Sequence, residues 1–219
     1  MQIKYFVRTT GDRDFNYDID YKALIDKEYD GVKSFIDALN TISEYDAVLL
    51  EDDLVLCKNF KEEIEKVISE YPNTIINFFT VPEFYYTTHY SENFSYNQCT
   101  YFPKGLGKLL AEQMLPMYKQ GIKQSYGNLL SISLNRLGIP HLIYRPSLVQ
   151  HIDGKSIFQK TSFIYERNTI YFKDYLDELG IDMIQAFKRE NRLKLKELLQ
   201  KDRNIWYEKY KNKKGERKK

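Results

Sequence analysis

The sequence has little cysteine and no long apolar run. Cys57 and Cys99 are the only cysteines among 219 residues, which excludes a disulfide framework and makes a reduced cytosolic compartment the expectation. The first eight residues are interrupted by charge and do not predict a signal peptide. No apolar stretch approaches the length of a transmembrane helix. We therefore expect a cytoplasmic protein with no transmembrane segment.

The composition is that of a folded domain rich in tyrosine. Hydrophobic residues make up 42% of the chain and charged residues 29%, which excludes a disordered chain. The length suits one domain, or one domain with a helical appendage. Nineteen tyrosines and thirteen phenylalanines supply flat contact area for a core, and also for stacking on sugars or bases.

Charge is distributed unevenly along the chain. Residues 188–219 contain fourteen basic and five acidic residues, a net charge of +9, whereas residues 1–187 carry a net charge of −7. A basic segment on an acidic body predicts an anionic partner for 188–219, either DNA or an anionic membrane. The alternative is a solvated helix with a frayed terminus.

Strand and helix patterns alternate through the first 145 residues. The alternation predicts an α/β protein whose sheet is flanked by helices, followed by a C-terminal helical extension. Residues 15–29 are polar and ambiguous, and 81–97 are predicted to be irregular. Asn59 and Glu62 predict a capping box at the start of a helix. The predicted strands are 3–7, 46–50, 74–79, 98–102 and 141–144; the predicted helices begin near residues 32, 60, 106, 127 and 165.

Three consecutive acids, Glu51, Asp52 and Asp53, directly follow the apolar strand 46–50. Ligands of α/β sheets bind outside the carboxyl ends of strands, which is where these acids fall. Their mutual repulsion is relieved by a cation, and an all-oxygen ligand set favours Mg²⁺ or Mn²⁺. Such a cation would bridge the phosphates of a nucleotide diphosphate. A solvated acidic turn is the alternative.

The segment from Gly31 to Phe60, which contains this triplet, resembles the donor site of GT-A-fold glycosyltransferases. A Glu-Asp-Asp variant of the Asp-x-Asp motif occurs in N-acetylglucosaminyltransferases and in lipopolysaccharide-type enzymes. The resemblance implies that Asp53 contacts the metal. It also implies that Glu51 and Asp52 touch the ribose, the sugar or metal-bound water.

A second segment, Arg145-Pro146-Ser147-Leu148-Val149-Gln150-His151-Ile152-Asp153-Gly154-Lys155-Ser156, is similar to a Pro-Ser-Leu-(Phe or Val)-Gln-His segment of related enzymes. There the histidine lies near the metal and the diphosphate, so His151 is the second predicted metal ligand. Asp153 stands where those families often have glycine. A structural loop histidine is the alternative.

The resemblance, which covers about residues 1–160, also implies a division of the chain and further donor contacts. A GT-A-like domain is expected over 1–164 and a basic helical extension over 165–219. Residues at the end of the first strand hold the base in this fold, and residues near the next helix start meet phosphate or ribose. The predicted donor-binding residues are Arg8, Thr9, Lys33, Ser34, Glu51 and Asp52, with Thr10 beside them; each has a surface-loop alternative.

The catalytic base is the point at which the sequence departs from the family. Inverting enzymes carry a carboxylate where this chain has residues 124–130, a segment without an acid in which Asn128 stands at the expected position. Either the reaction is retaining, or the base comes from elsewhere, with Asp153, Glu83 and Glu92 as candidates. Asp52 and Asp153 are the predicted catalytic residues.

The expected function is metal-dependent transfer of a glycosyl group from a nucleotide sugar, with a UDP-sugar as the leading donor. The acceptor is a glycan, a lipid-linked glycan or a nucleic acid, as in phage-type glycosylation of modified DNA bases. The aromatic segment 84–90 is a predicted acceptor wall, or else a satellite hydrophobic cluster. The rival function is non-catalytic binding of nucleic acid through the basic segment.

Overall fold

A seven-stranded mixed sheet forms the centre of the protein. The computed structural model describes residues 2–13, 15–79, 88–91, 97–122, 124–151 and 168–216, with the backbone alone for 89 and 206–216. The strands are β1 Ile3–Thr9, β2 Tyr21–Ile25, β3 Asp46–Glu51, β4 Leu54–Leu56, β5 Ile75–Asn77, β6 His89–Ser91, β7 Cys99–Phe102, β8 His141–Ile143 and β9 Val149–His151.

The strand order in the sheet is β2-β1-β3-β7-β5-β8-β6. β1 is parallel to both β2 and β3, and β5 is parallel to β8, whereas β7 runs antiparallel to its neighbours β3 and β5. The carboxyl ends of β1, β2 and β3 consequently meet at one edge of the sheet. β4 and β9 form a separate antiparallel pair beside this edge.

Helices cover both faces of the sheet, so the protein has three layers. Because successive side chains of a strand point to opposite faces, Phe6 and Leu49 pack on one side and Val7 and Leu50 on the other. The first face is covered by α1 Gly31–Ile42, α3 Leu106–Lys119 and α4 Tyr126–Leu137; the second by α2 Phe60–Glu70, α5 Lys173–Leu179, α6 Met183–Ala186 and α7 Arg189–Glu216.

Helices α1 and α3 approach each other closely at Gly107. A Cβ atom at this position would lie 2.4 Å from the carbonyl oxygen of Leu39, a distance that no side chain tolerates. Glycine therefore allows the backbones to touch and holds α1 against the sheet. The N-terminus of α1 is fixed by Asp30, whose carboxylate accepts hydrogen bonds from the amides of Val32 and Lys33.

The C-terminal helices share the core of the sheet. Leu195 of α7 is fully buried in the same cluster as Tyr175, Leu176 and strand residues of β1 and β3. The Tyr175 hydroxyl also donates a hydrogen bond of 2.8 Å to Asp202. The described part of the predicted extension thus forms the three helices α5, α6 and α7, and each of them places at least one side chain in the core. The predicted boundary at residue 164 falls outside the described residues.

The sheet flanked by helices and the C-terminal helix are confirmed, while the predicted capping box was wrong. The segment 15–29, which was ambiguous in the sequence, contains the edge strand β2, and β3 is parallel to β1 and antiparallel to β7. Asn59 adopts a left-handed conformation (φ 53°) and its side chain caps nothing, so the predicted capping box with Glu62 is absent. In the described part of the chain, no helix has the length and apolarity needed to cross a membrane.

Candidate functional site

A cleft of about 570 Å³ opens where the carboxyl ends of β1, β2 and β3 meet. The N-termini of α1 and α4 face the same space, since Gly31, Ser125 and Tyr126 belong to its wall. All three acids of the triplet lie in it. The lining consists of Arg8, Thr9, Thr10, Arg13, Asp26, Glu28, Tyr29, Asp30, Gly31, Val32, Ser34, Glu51, Asp52, Asp53, Ser125 and Tyr126.

Each acid of the triplet contacts a cation. Glu51 accepts a hydrogen bond of 3.0 Å from Arg8. One terminal nitrogen of Arg13 reaches both other acids, at 2.9 Å from Asp52 Oδ1 and 2.5 Å from Asp53 Oδ2. The second oxygen of Asp52 accepts a 2.5 Å hydrogen bond from the Thr9 hydroxyl. Pairing of this kind offsets the cost of holding three adjacent carboxylates away from water.

Tyr17 fixes the turn that carries the triplet. Its hydroxyl donates to the carbonyl of Glu51 at 2.6 Å and accepts from the amide of Leu54 at 3.1 Å. The hydroxyl is thus inserted where a tight turn would have a direct carbonyl-to-amide hydrogen bond. Asp52 and Asp53 lie between these two anchor points, so their backbone is held from both sides.

The short ladder between β4 and β9 brings His151 to the triplet. His151 pairs with Leu54 in the register, which places it beside Asp53, and its Nε2 lies 3.2 Å from Asp53 Oδ2. Gln150 anchors β9 because its amide exchanges two hydrogen bonds with the backbone of Thr169, at 2.7 and 3.0 Å. Two residues almost a hundred positions apart are therefore juxtaposed by backbone pairing.

The environment of Asp53 keeps it ionised. Burial by itself raises the pKa of this carboxyl, but the adjacent His151 and Arg13 outweigh burial and hold the pKa well below its usual range. A permanently charged oxygen donor is what a hard divalent cation requires. His151 and Asp53 also retain one atom each, Nδ1 and Oδ1, that is buried without a hydrogen-bond partner among the described residues.

Arg8 links the acids to an aromatic wall. Its guanidinium carbon lies 4.1 Å from the ring centre of Tyr126 and 5.2 Å from that of Phe35. The Tyr126 hydroxyl donates to Glu51, the carboxylate that Arg8 also binds. Burial lowers the pKa of Arg8, but Tyr126 and Glu51 outweigh it and the pKa is raised. Arg8 is thus a fixed positive charge at the floor of the cleft.

Two further polar groups of the cleft are buried without a described partner. Asp26, at the end of β2, uses Oδ1 to accept from the amide of Glu28, while its Oδ2 has none. The hydroxyl of Thr10, which follows β1, is also buried without a hydrogen-bond partner among the described residues. Unsatisfied buried polar atoms are costly, so a ligand that hydrogen-bonds them would gain affinity.

Asp53 and His151 are the candidate ligands for a divalent cation. Within the described residues, no group of three His, Cys, Asp or Glu side chains is arranged to hold a metal. Asp53 and His151 offer two ligands in contact. Mg²⁺ is often held by one or two protein groups, with substrate phosphates and water completing the shell. The pair therefore fits a cation that arrives together with a diphosphate.

Most of the other predicted donor-binding residues lie in the cleft. Arg8, Thr9, Thr10 and Ser34 line the cleft, whereas the Lys33 ammonium is exposed and pairs with Glu28 at 3.2 Å and Asp37 at 3.3 Å beside a neighbouring depression. The predicted base candidates Asp153, Glu83 and Glu92 and the aromatic segment 84–90 lie outside the described residues.

Four residues of the site escaped the sequence interpretation: Arg13, Tyr17, Asp26 and Tyr126. Asp26 gave no signal because the strand that it follows, β2, was not predicted. The others lie in or after loops, and their hydrogen bonds span 34 to 75 residues of sequence. No protein-family model and no curated protein matches this sequence.

Proposed function

We propose that the protein is a metal-dependent glycosyltransferase of the GT-A type that uses a nucleotide-sugar donor, with a UDP-sugar as the leading candidate. The contact between Asp53 and His151 carries this proposal. The resemblance implies that both residues are metal ligands. Asp53 Oδ2 and His151 Nε2 lie 3.2 Å apart at the carboxyl ends of parallel strands, where the cleft opens.

The charge of the cleft supports a requirement for a cation. Its lining contains six carboxylates against two guanidinium groups. A nucleotide diphosphate entering such a cleft would meet net repulsion unless a divalent cation came with it. Asp53 and His151 would hold that cation, which would supply stabilisation of the charge developing on the leaving diphosphate.

The remaining lining residues provide contacts for the nucleoside. Thr10 and Asp26 offer a hydroxyl and a carboxylate oxygen without described partners, at the ends of β1 and β2. Base and ribose carry the donors and acceptors that such groups bind. Arg8 and Tyr126 hold Glu51 in one orientation toward the cleft. These residues would position the donor.

Asp52 acts as a positioning residue in this proposal. Both of its oxygens are occupied, one by Thr9 and the other by Arg13, so neither is placed to remove a proton from an acceptor. Of the two predicted catalytic residues, Asp153 therefore stays the candidate base of an inverting reaction. A retaining reaction would need no such base.

The acceptor in this proposal is anionic. Exposed lysines of α7, among them Lys194, Lys196 and Lys201, lie on a helix whose apolar side is anchored in the core. A neutral glycan gives no reason for a net charge of +9 over 188–219, whereas DNA or a lipid-linked phosphate does. Binding of nucleic acid without catalysis is the second candidate function, and it rests on the same helix.

A panel of nucleotide sugars tests the proposal. The protein is incubated with each donor in Mn²⁺ or in EDTA, and released nucleotide is measured. We expect release from one donor in Mn²⁺, none in EDTA, and none by Asp53→Asn. The matched control is Asp46→Asn at the other end of β3, where the Asp46 carboxylate accepts hydrogen bonds from the Tyr101 hydroxyl and the Lys104 amide. Binding of DNA with no release from any donor would favour the second candidate.

A further inference from the structure

Arg13 is the cation nearest to the two acids Asp52 and Asp53. A single nitrogen, Nη1, contacts Asp52 Oδ1 at 2.9 Å and Asp53 Oδ2 at 2.5 Å. The Arg13 side chain is 24% exposed, against 8% for Asp52 and 15% for Asp53. The Arg13 side chain is thus more exposed than either acid that it contacts, and all three residues line the cleft.

The Oδ2 atom of Asp53 has two nitrogen atoms beside it. Asp53 Oδ2 is 2.5 Å from Arg13 and 3.2 Å from His151 Nε2. A divalent cation held between Asp53 Oδ2 and His151 Nε2 would lie directly beside the Arg13 nitrogen that contacts the same oxygen. Like charges this close repel strongly where burial limits solvent screening, so the two cations exclude each other.

We propose that Arg13 is a resident counter-ion of the acidic triplet, which a divalent cation displaces when it binds Asp53 and His151. In the absence of metal the guanidinium neutralises the adjacent acids. Arg13 lies in the loop between β1 and β2, two residues after Gly11, whose φ is 80°. Because Arg13 belongs to this loop, its displacement requires no change in the sheet. The inference rests on the proposed metal site and deepens it.

Displacement gives Arg13 a second role. Arg13 belongs to the wall of the cleft, so after leaving Asp53 its guanidinium would be within reach of the diphosphate of a donor bound there. Arginine binds phosphate well because its fork of donors matches phosphate oxygens. Arg13 should therefore oppose binding of the metal alone and favour binding of the metal together with a nucleoside diphosphate.

Binding of Mn²⁺ alone tests the exchange directly. The free Mn²⁺ signal is titrated by electron paramagnetic resonance with the full chain, without nucleotide. We expect Arg13→Ala to bind Mn²⁺ about tenfold more tightly than the wild type, since charge-assisted hydrogen bonds no longer compete. Arg136→Ala, which removes an exposed arginine from α4, is the control for the change in net charge and should bind as the wild type does.

Two further variants make the result decisive. Arg13→Ala combined with Asp53→Asn should lose the gain, which ties the bound Mn²⁺ to the triplet. Arg13→Gln, neutral and nearer in size, replaces Arg13→Ala if thermal unfolding shows that the alanine variant is misfolded. Unchanged or weaker Mn²⁺ binding by the folded neutral variant overturns the proposal, as does a gain that survives Asp53→Asn.

A second arm adds UDP to Mn²⁺ and measures nucleotide affinity by calorimetry. We expect Arg13→Ala to bind UDP about tenfold more weakly, opposite in sign to its effect on Mn²⁺ alone. An unchanged UDP affinity overturns the second role of Arg13. If the wild type binds Mn²⁺ but no nucleotide, the proposed glycosyltransferase function fails, and the Mn²⁺ arm still decides the exchange.

Discussion

The cleft and helix α7 are both densely charged, but the charges are held in different ways. In the cleft, the carboxylates of Glu51, Asp52 and Asp53 are largely buried and each has a cation within 3.0 Å. On α7, residues such as Lys194 and Lys201 are exposed and the helix is fixed by apolar contacts. Buried charges depend on every partner, whereas exposed charges act weakly and collectively. The cleft should therefore respond sharply to single substitutions and α7 only to the removal of many charges.

The largest effect is expected from Asp53→Asn. This change removes a charged metal ligand without altering the shape of the side chain, so donor turnover should fall about a thousandfold or more. Asp46→Asn, on the same strand but outside the cleft, should change turnover less than about twofold. Donor turnover under saturating Mn²⁺ is measured for both. Equal losses in the two variants would mean that the carboxyl end of β3 has no special role.

His151→Ala is expected to have the next largest effect. Loss of one of two protein ligands should weaken Mn²⁺ and donor binding together by about tenfold to a hundredfold. Additional Mn²⁺ should restore part of the turnover, which separates a ligand from a residue needed only for folding. Activity is titrated against Mn²⁺ for the variant and the wild type. Normal donor affinity with normal turnover would return His151 to a structural role.

The stability of the cleft should depend on pH through Asp53. Its pKa in the folded protein lies below the unfolded value of about 3.9, so ionised Asp53 stabilises the fold above that pH. This contribution is lost as the pH falls through the folded pKa. Asp53→Asn should therefore lower the free energy of unfolding at pH 7, and the difference from the wild type should shrink below about pH 4. Urea unfolding at pH 7, 5 and 3 measures it; a difference that is constant with pH would contradict the pairing.

The smallest effect on donor chemistry is expected from deletion of residues 204–219. The cut leaves Leu195 in the core and the bond between Tyr175 and Asp202 intact, so the fold should persist. Hydrolysis of the donor by water should be unchanged, while transfer of the sugar to an anionic acceptor should weaken. In the full chain, acceptor affinity should fall steeply with salt because lysines 209, 211, 213 and 214 release counterions from the acceptor.

Direct binding to duplex DNA and to anionic vesicles at two salt concentrations identifies the acceptor class. Salt-sensitive binding to DNA alone would favour modification of bases, and binding to vesicles alone would favour assembly of a surface glycan. If the protein binds neither DNA nor vesicles and the shortened chain is fully active, the charged face of α7 is only solvated and the acceptor is not anionic.

The sequence predicted those parts of the fold and site that are encoded locally. The apolar run before Glu51 predicted β3, and the helix predicted to begin near residue 32 is α1. The edge strand β2 was missed because its side chains are mostly exposed and show no burial pattern. Arg13 was missed because no local pattern shows that a loop residue reaches acids about forty positions away. The contact between Asp53 and His151 was anticipated by resemblance, and backbone pairing of β4 and β9 supplies its physical cause.

Calorimetric titration of the protein with UDP in Mn²⁺, in Mg²⁺ and in EDTA tests the central claim most directly. The proposed site predicts that the wild type binds UDP only when a divalent cation is present, and that Asp53→Asn does not bind it under any of the three conditions, whereas Asp46→Asn behaves as the wild type. Binding of UDP that is equally strong in EDTA, or that survives Asp53→Asn, would contradict a cation-mediated nucleotide site at Glu51, Asp52 and Asp53.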